Sequence, residues 1–276
     1  MSKPEIYFHV GLGKVASTYL QHRVFPKLEG IRYIPTGKYK KSKEIIKNEN
    51  HDKFLVSREF DVQFEREVRW FTKTYPEARI IILFRRHESW IASQYRRYVK
   101  NGWFWNFDKF FDLENDAGFW KKKDLFFYPK LEIIEECSSQ KPLVLFHEEL
   151  KEDPWIFFDK ISQYSNTTYY KDKISLERVH TSYSEKQLKI LRKFCREYVG
   201  KVPKGYSNKV KHWIYYRPWW AFFHLVMYIA SVLPERMVPE EELISTEQLD
   251  SIRQAYEEDW NKIREYARKN NPPFTN

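Results

Sequence analysis

The run Arg79 to Phe84, R-I-I-I-L-F, limits what this chain can fold into more than any other stretch of it. A strand with one wet face alternates apolar and polar residues. An unbroken apolar run rich in isoleucine has the composition of a strand covered on both faces, which is the condition of a parallel sheet. Parallel neighbours need long crossovers, usually helical and right-handed. Strand candidates of the same kind occur at Ile6 to Val10, Ile31 to Ile34, Phe54 to Val56 and Leu143 to Phe146. Between and after them the helical period recurs. Phe64, Val68 and Phe71 mark a helix within 62–75 that Pro76 closes, Trp155 to Tyr164 follows an N-cap at Asp153, and further helices fit 182–198 and 246–269. Strands alternating with helices predict an α/β fold, a three-layer sandwich around a central parallel sheet.

The first strand leads into a turn with a chemical meaning. Ile6 to Leu20 reads I-Y-F-H-V-G-L-G-K-V-A-S-T-Y-L. Gly11 and Gly13 let the backbone turn and approach a ligand, and Leu20, Val24 and Leu28 carry a helical pattern that begins near Ser17. A helix start aims unpaired N–H groups at the turn, and Lys14 stands beside it, so the natural occupant is an anion, above all a phosphate. The Walker order G-x-x-x-x-G-K-[ST] is not met, because Lys14 is followed by Val15 and Ala16 before Ser17 and Thr18.

Two later stretches extend the pattern. Arg85-Arg86-His87-Glu88-Ser89-Trp90-Ile91-Ala92-Ser93-Gln94-Tyr95 leaves the strand 79–84 at its carboxyl end, where ligands of α/β sheets bind. Pro142 to Pro154, P-L-V-L-F-H-E-E-L-K-E-D-P, is a buried strand, a turn and a helix start.

Together these stretches resemble the sulfotransferases that use 3′-phosphoadenosine 5′-phosphosulfate (PAPS). Their bacterial members have a 5′-phosphosulfate loop h-x-G-x-x-K-x-G-T-T-x-L-Q, matched here from His9 to Gln21 with Ala16 in place of the usual glycine. Their 3′-phosphate motif, R-[DN]-P-x-x-R-x-x-S-x-[YW], is matched at Arg85, Ser93 and Tyr95, with Arg86-His87 for the Asp/Asn-Pro pair and Trp90 for the second arginine. Their strand ending Y-E-D-L-x-x-D-P is matched by His147-Glu148-Glu149-Leu150 and Asp153-Pro154. The resemblance covers roughly residues 5–200.

The resemblance implies a P-loop-NTPase-like fold with a nucleotide-binding core over 1–200; beyond it the residues themselves read as a helical, aromatic-rich extension over 201–276 of the same single domain. It implies PAPS as donor, adenosine 3′,5′-bisphosphate as product and a hydroxyl or amine acceptor, for instance on a carbohydrate; the scattered histidines call for no metal, and an interfacial reading of Trp213 to Leu233 would make the acceptor lipid-linked or otherwise membrane-proximal. Gly11, Gly13, Lys14, Val15, Ala16, Ser17 and Thr18 would hold the 5′-phosphate end, and Arg85 and Ser93 the 3′-phosphate. Lys14 would neutralise charge on the leaving oxygen. For the base, the family position after the strand between the two nucleotide motifs falls on Glu59. His147 and Glu148 are rivals, and His87 and His180 are weaker ones.

A net charge of +10 over 276 residues favours anionic partners, which charge alone leaves open among nucleotide, nucleic acid and acidic membrane. Aromatic residues make up 18%, enough for a contacting surface as well as a core. Cys137 and Cys195 are the only cysteines, which fits a reducing, cytoplasmic setting and no thiolate metal site. Met1 runs almost directly into the first strand, leaving no room for a signal peptide. Lys201, Lys204, Lys209 and Lys211 precede an aromatic and apolar stretch, Trp213 to Leu233, that Arg217, Pro218 and His224 interrupt. It reads equally as a helix lying in an acidic membrane interface or as a core helix. The rival functions are a nucleotide or small-molecule kinase with an atypical loop, and a non-catalytic protein that binds a membrane surface or nucleic acid. Under the sulfotransferase reading, no nucleic acid is expected.

Overall fold

The structure is a computed structural model that describes residues 3–177, 183–203, 205 and 207–274, with the backbone alone at Lys209. Its sheet has five parallel strands, β1 (Glu5–His9), β2 (Arg32–Ile34), β3 (Lys53–Ser57), β4 (Arg79–Phe84) and β5 (Leu143–Phe146), in the order β2-β3-β1-β4-β5. Tyr7 of β1 is in register with Leu55 of β3 on one side and Arg79 of β4 on the other. The apolar run of β4 sits at the sheet's interior, and Ile80 to Phe84 are fully buried on both faces. Helices flank the sheet, so the α/β reading stands.

The chain divides into two compact units, and each draws on separated segments. The first comprises residues 1–86, 126–179 and 256–276, and the second residues 87–125 and 180–255. The division crosses the chain at four points, because contacts and not chain order define the units.

The first unit contains the sheet and the helices Phe64–Thr72, Tyr128–Cys137, Pro154–Ser165 and Glu257–Asn270. Phe8 of β1 packs on Phe71 at a ring separation of 4.1 Å. Asp153 caps the helix that starts at Pro154 by accepting from the N–H groups of Trp155 and Ile156. Near the C-terminus, the Asn271 amide accepts from Val144 N at 3.0 Å and donates to Val144 O at 2.8 Å. It thereby covers β5, an edge strand whose free backbone groups would otherwise invite another strand. Asp259 fastens the same C-terminal helix to the start of Tyr128–Cys137 by accepting from Phe127 N at 2.9 Å.

The second unit contains His87–Lys100, Glu185–Phe194, Arg217–Val232 and Thr246–Ala255. Trp90 and Trp120 meet edge to face at 5.1 Å in its core. Arg192, 3% exposed, donates to Tyr95 Oη and Glu242 O and pairs with Glu241, so its buried charge is compensated.

Two helices differ from the sequence reading. The helix expected over 246–269 breaks at Tyr256, whose φ of −111° and ψ of 11° leave the helical region, and its halves belong to different units. The helix expected from Ser182 starts at Glu185 under a Ser184 capping box; Ser182 lies outside the described residues. Its period continues through one π turn, Cys195–Val199, to Gly200 at φ 64°.

Candidate functional site

Because β1 is flanked by β3 and β4, the crossovers diverge from it, and its carboxyl tip is the switch point at which such sheets open a crevice. The segments leaving β1, β3, β4 and β5 meet there, all within the first unit.

The turn after β1 is shaped by residues other than those glycine content would select. Gly11 does not adopt a positive φ; left-handed positions in this turn are Lys14, at φ 68°, and Ala16, at φ 71°. Gly11 is required for space instead, since a Cβ there would stand 2.2 Å from Ser17 Oγ and 2.8 Å from His9 Nε2. Left-handed residues two apart, at 14 and 16, are the kind of alternation from which anion nests are built. Ala16 is also the N-cap of the helical run Ser17–Lys27 and offers its N–H groups no side-chain acceptor.

Ala16 bears the strain of an L-residue with a Cβ in the left-handed region. Ala16→Gly should therefore raise stability by about 0.5–1 kcal/mol, the gain from relieved strain exceeding the entropy returned to the unfolded chain. The urea midpoint of the variant, compared at equal slope, measures this. A lowered midpoint would show that the Ala16 methyl contributes packing that outweighs the strain.

The segment after β3 closes over this turn. Arg58 N donates to His9 O and Phe60 N to Gly11 O, and Asp61 Oδ1 accepts from Gly13 N at 2.9 Å. Thr18 Oγ1 donates to Glu59 Oε1 at 3.3 Å, which sets that carboxylate, half-buried, at the mouth of the turn. Ser17 Oγ donates to Leu12 O at 3.2 Å. Both hydroxyl protons thus have protein acceptors.

From β4, the Arg85 guanidinium reaches the same turn, and its Nη1 donates to Lys14 O at 3.2 Å. Arg86 turns elsewhere: its N–H donates to Glu148 Oε1, and its guanidinium binds Glu257 at 2.6 Å and lies over the Trp260 ring. From β5, His147 has its pKa lowered to about 3, chiefly by burial and then by the positive fields of Arg85 and Lys151. It is neutral at ordinary pH and holds a proton too weakly to be an effective base there. One oxygen of Glu148 is bound by the Arg86 N–H.

The positions 14, 15, 16, 17, 18, 59, 85 and 147 are therefore drawn to one set of strand tips. Ser93 is half-buried on the helix His87–Lys100, which belongs to the second unit. Tyr95 is a core residue of that unit, with its hydroxyl donating to Trp105 O at 2.8 Å, and Trp90 is likewise core. His87 is also buried in the second unit, and His180 lies outside the described residues.

Two participants escaped the sequence reading. Asp61 holds the Gly13 N–H from 48 residues away, and its only signal was an acid two places beyond Glu59. His9, wholly buried with its pKa lowered to about 3 by burial, sets Nδ1 at 2.8 Å from Ser57 Oγ, which also accepts from the Gln21 amide at 3.1 Å. It is neutral and locks the tips of β1 and β3 to the helical run beneath the turn. Among the described residues, no three His, Cys, Asp or Glu side chains cluster as metal ligands would.

A five-stranded parallel sheet flanked by helices, with the turn of Lys14 and Ala16 at its switch point, defines a P-loop-like α/β architecture. More particularly, the chain has the sulfotransferase fold. It is similar to a sulfotransferase from Alicyclobacillus acidocaldarius, with a TM-score of 0.51 at 12% identity over 64% of this chain and 87% of that one. A structure of mouse sulfotransferase SULT7A1 complexed with PAP aligns over 98% of this chain and 90% of that one, with a TM-score of 0.45 at 13% identity. The sequence matches no family model and no curated protein.

Proposed function

We propose that the protein is a PAPS-dependent sulfotransferase that sulfates a hydroxyl or amine of a carbohydrate, lipid-linked or other membrane-proximal acceptor, in the cytoplasm or at the inner membrane face. The observation that carries this reading is the bond from Arg85 to the Lys14 carbonyl. It brings a guanidinium from β4 against the turn after β1, which supports a single anionic ligand shared by the two neighbouring strand tips.

PAPS supplies an activated sulfuryl group and a phosphate leaving group, and the chain's residues have defined tasks around them. The N–H groups of residues 14–18 hold the 5′-phosphate, and the Lys14 ammonium offsets the negative charge that grows on its bridging oxygen. Arg85, a planar fork of donors, suits the dianionic 3′-phosphate, with Ser93 as its proposed companion. Glu59 takes the acceptor's proton. His147 stays neutral and is unsuited to that step at neutral pH.

Titration calorimetry with adenosine 3′,5′-bisphosphate and, separately, with ATP and magnesium tests the reading. The bisphosphate should bind in the micromolar range, about 8 kcal/mol of affinity, and at least about tenfold more tightly than ATP. Tighter binding of ATP would replace this reading with the kinase one, and binding of neither would leave no nucleotide role.

A further inference from the structure

The helix Arg217–Val232 in the second unit carries two apolar stripes. Phe223, Met227 and Ala230 are buried, whereas Leu225, Ile229 and Val232 face solvent at 54%, 48% and 78% exposure. The stripes share the same spacing but are offset by two residues, about 200° around the helix, and so lie on opposite sides. The sequence left this stretch equally readable as core or interface; one stripe of the helix is core and the other faces solvent. Pro218 stands in its first turn and therefore does not interrupt it, and the His224 ring bonds the Tyr183 hydroxyl.

The second unit exposes other apolar groups on the same stretch and on the helical run Glu185–Val199. Tyr228 is 73% exposed, Trp213 is 69% exposed, and an open cleft of about 390 Å³ is lined by Phe194, Tyr198, Val199, Pro218, Trp219 and Phe222. Within this stretch of chain the charge has one sign, and the carboxylates that bound it, Glu197 and Glu235, are paired with Lys193 and Lys186. No acidic residue occurs between Glu197 and Glu235, while Lys201, Lys211 and Arg217 lie in that interval, Lys201 over the Trp219 ring and Arg217 over the Trp220 ring. Of the other two lysines there, Lys204 and the Lys209 side chain lie outside the described residues.

We propose that this face docks on the surface of an anionic lipid bilayer, with the stripe Leu225, Ile229 and Val232 entering the headgroup and acyl boundary and the tryptophans and cations at the headgroup level. A bilayer interface matches an apolar stripe rimmed by aromatic rings and basic side chains. A second copy of the chain would set one basic rim against another. No helix among the described residues is long and apolar enough to cross a membrane, so contact is parallel to the surface. The surface stands on the second unit alone; only its purpose, bringing the enzyme to a membrane-proximal acceptor, rests on the sulfotransferase reading.

Flotation of the full chain with vesicles tests it. Recovery should be strong with mixed phosphatidylcholine and phosphatidylglycerol, weak with phosphatidylcholine alone, and reduced by high salt. The pair Leu225→Gln and Ile229→Gln, and separately the pair Lys211→Glu and Arg217→Glu, should each reduce binding to the anionic vesicles about tenfold or more. Calorimetry with adenosine 3′,5′-bisphosphate should be unchanged in both variants, which shows that they are folded. Absence of flotation by the unaltered chain, or equal flotation by either variant, overturns the proposal. So does a dimer in light scattering that the Leu225 and Ile229 substitutions dissociate while leaving flotation intact. Flotation without bisphosphate binding would remove the sulfotransferase reading and leave the surface standing.

Discussion

Glu59→Gln should lower sulfuryl transfer by about 10²- to 10⁴-fold, the range associated with loss of a positioned general base, while affinity for adenosine 3′,5′-bisphosphate stays at its original value. The substitution separates chemistry from architecture. Glu59 accepts a bond from Thr18 Oγ1 at the mouth of the turn, and a glutamine oxygen in the same place accepts that bond equally well. What the amide lacks is the ability to take a proton. Single-turnover measurements at saturating donor and acceptor isolate the step, so a change in binding cannot masquerade as a change in rate. Turnover within a few-fold of the original would make Glu59 a loop anchor and move the search to Glu148. His147 is the weaker alternative, because a pKa near 3 leaves it a poor proton acceptor at neutral pH.

The sheet was legible in the sequence because burial on both faces writes itself as an unbroken apolar run, as at Ile80 to Phe84. Lys14, Glu59 and Arg85 were legible for a related reason: each follows a strand, and in a parallel sheet all such positions share one edge. The means by which these residues are held was not legible. Asp61 on Gly13 and Gln21 on Ser57 act across 48 and 36 residues, and nothing local distinguishes that aspartate or that glutamine from a solvated one. His9 was visible only as one letter of a strand; its burial and its bond to Ser57 depend on a neighbour 48 residues away. The break at Tyr256 escaped because the apolar period runs through it, with Ile252 and Trp260 both buried on either side. Residues Trp90 and Tyr95 teach the converse lesson. They occupy positions that look functional in a linear pattern, yet both are packed in the core of the second unit.

Arg85→Ala should weaken adenosine 3′,5′-bisphosphate about 10²-fold and adenosine 5′-monophosphate only a few-fold. Two charge-assisted bonds to a phosphate, at about 1.5–3 kcal/mol each, comfortably cover the tenfold per 1.4 kcal/mol that the larger loss requires. The comparison is needed because Arg85 also donates to the Lys14 carbonyl, so its removal could loosen the turn and weaken every nucleotide alike. Equal losses for the two ligands would therefore mean that Arg85 acts through the turn and would end its assignment to the 3′-phosphate. Arg85→Lys refines the test, since it keeps the charge but not the planar fork, and should recover only part of the lost affinity. The imidazole of His147 gives a readout that no ligand enters. Its pKa, about 3, is held down first by burial and then by the charge of Arg85, so in Arg85→Ala it should rise while remaining below the ordinary value. A proton-resonance titration of His147 that moves upward alongside selective loss of the bisphosphate would show the guanidinium exerting its charge at the junction of β4 and β5, where the proposed 3′-phosphate is received.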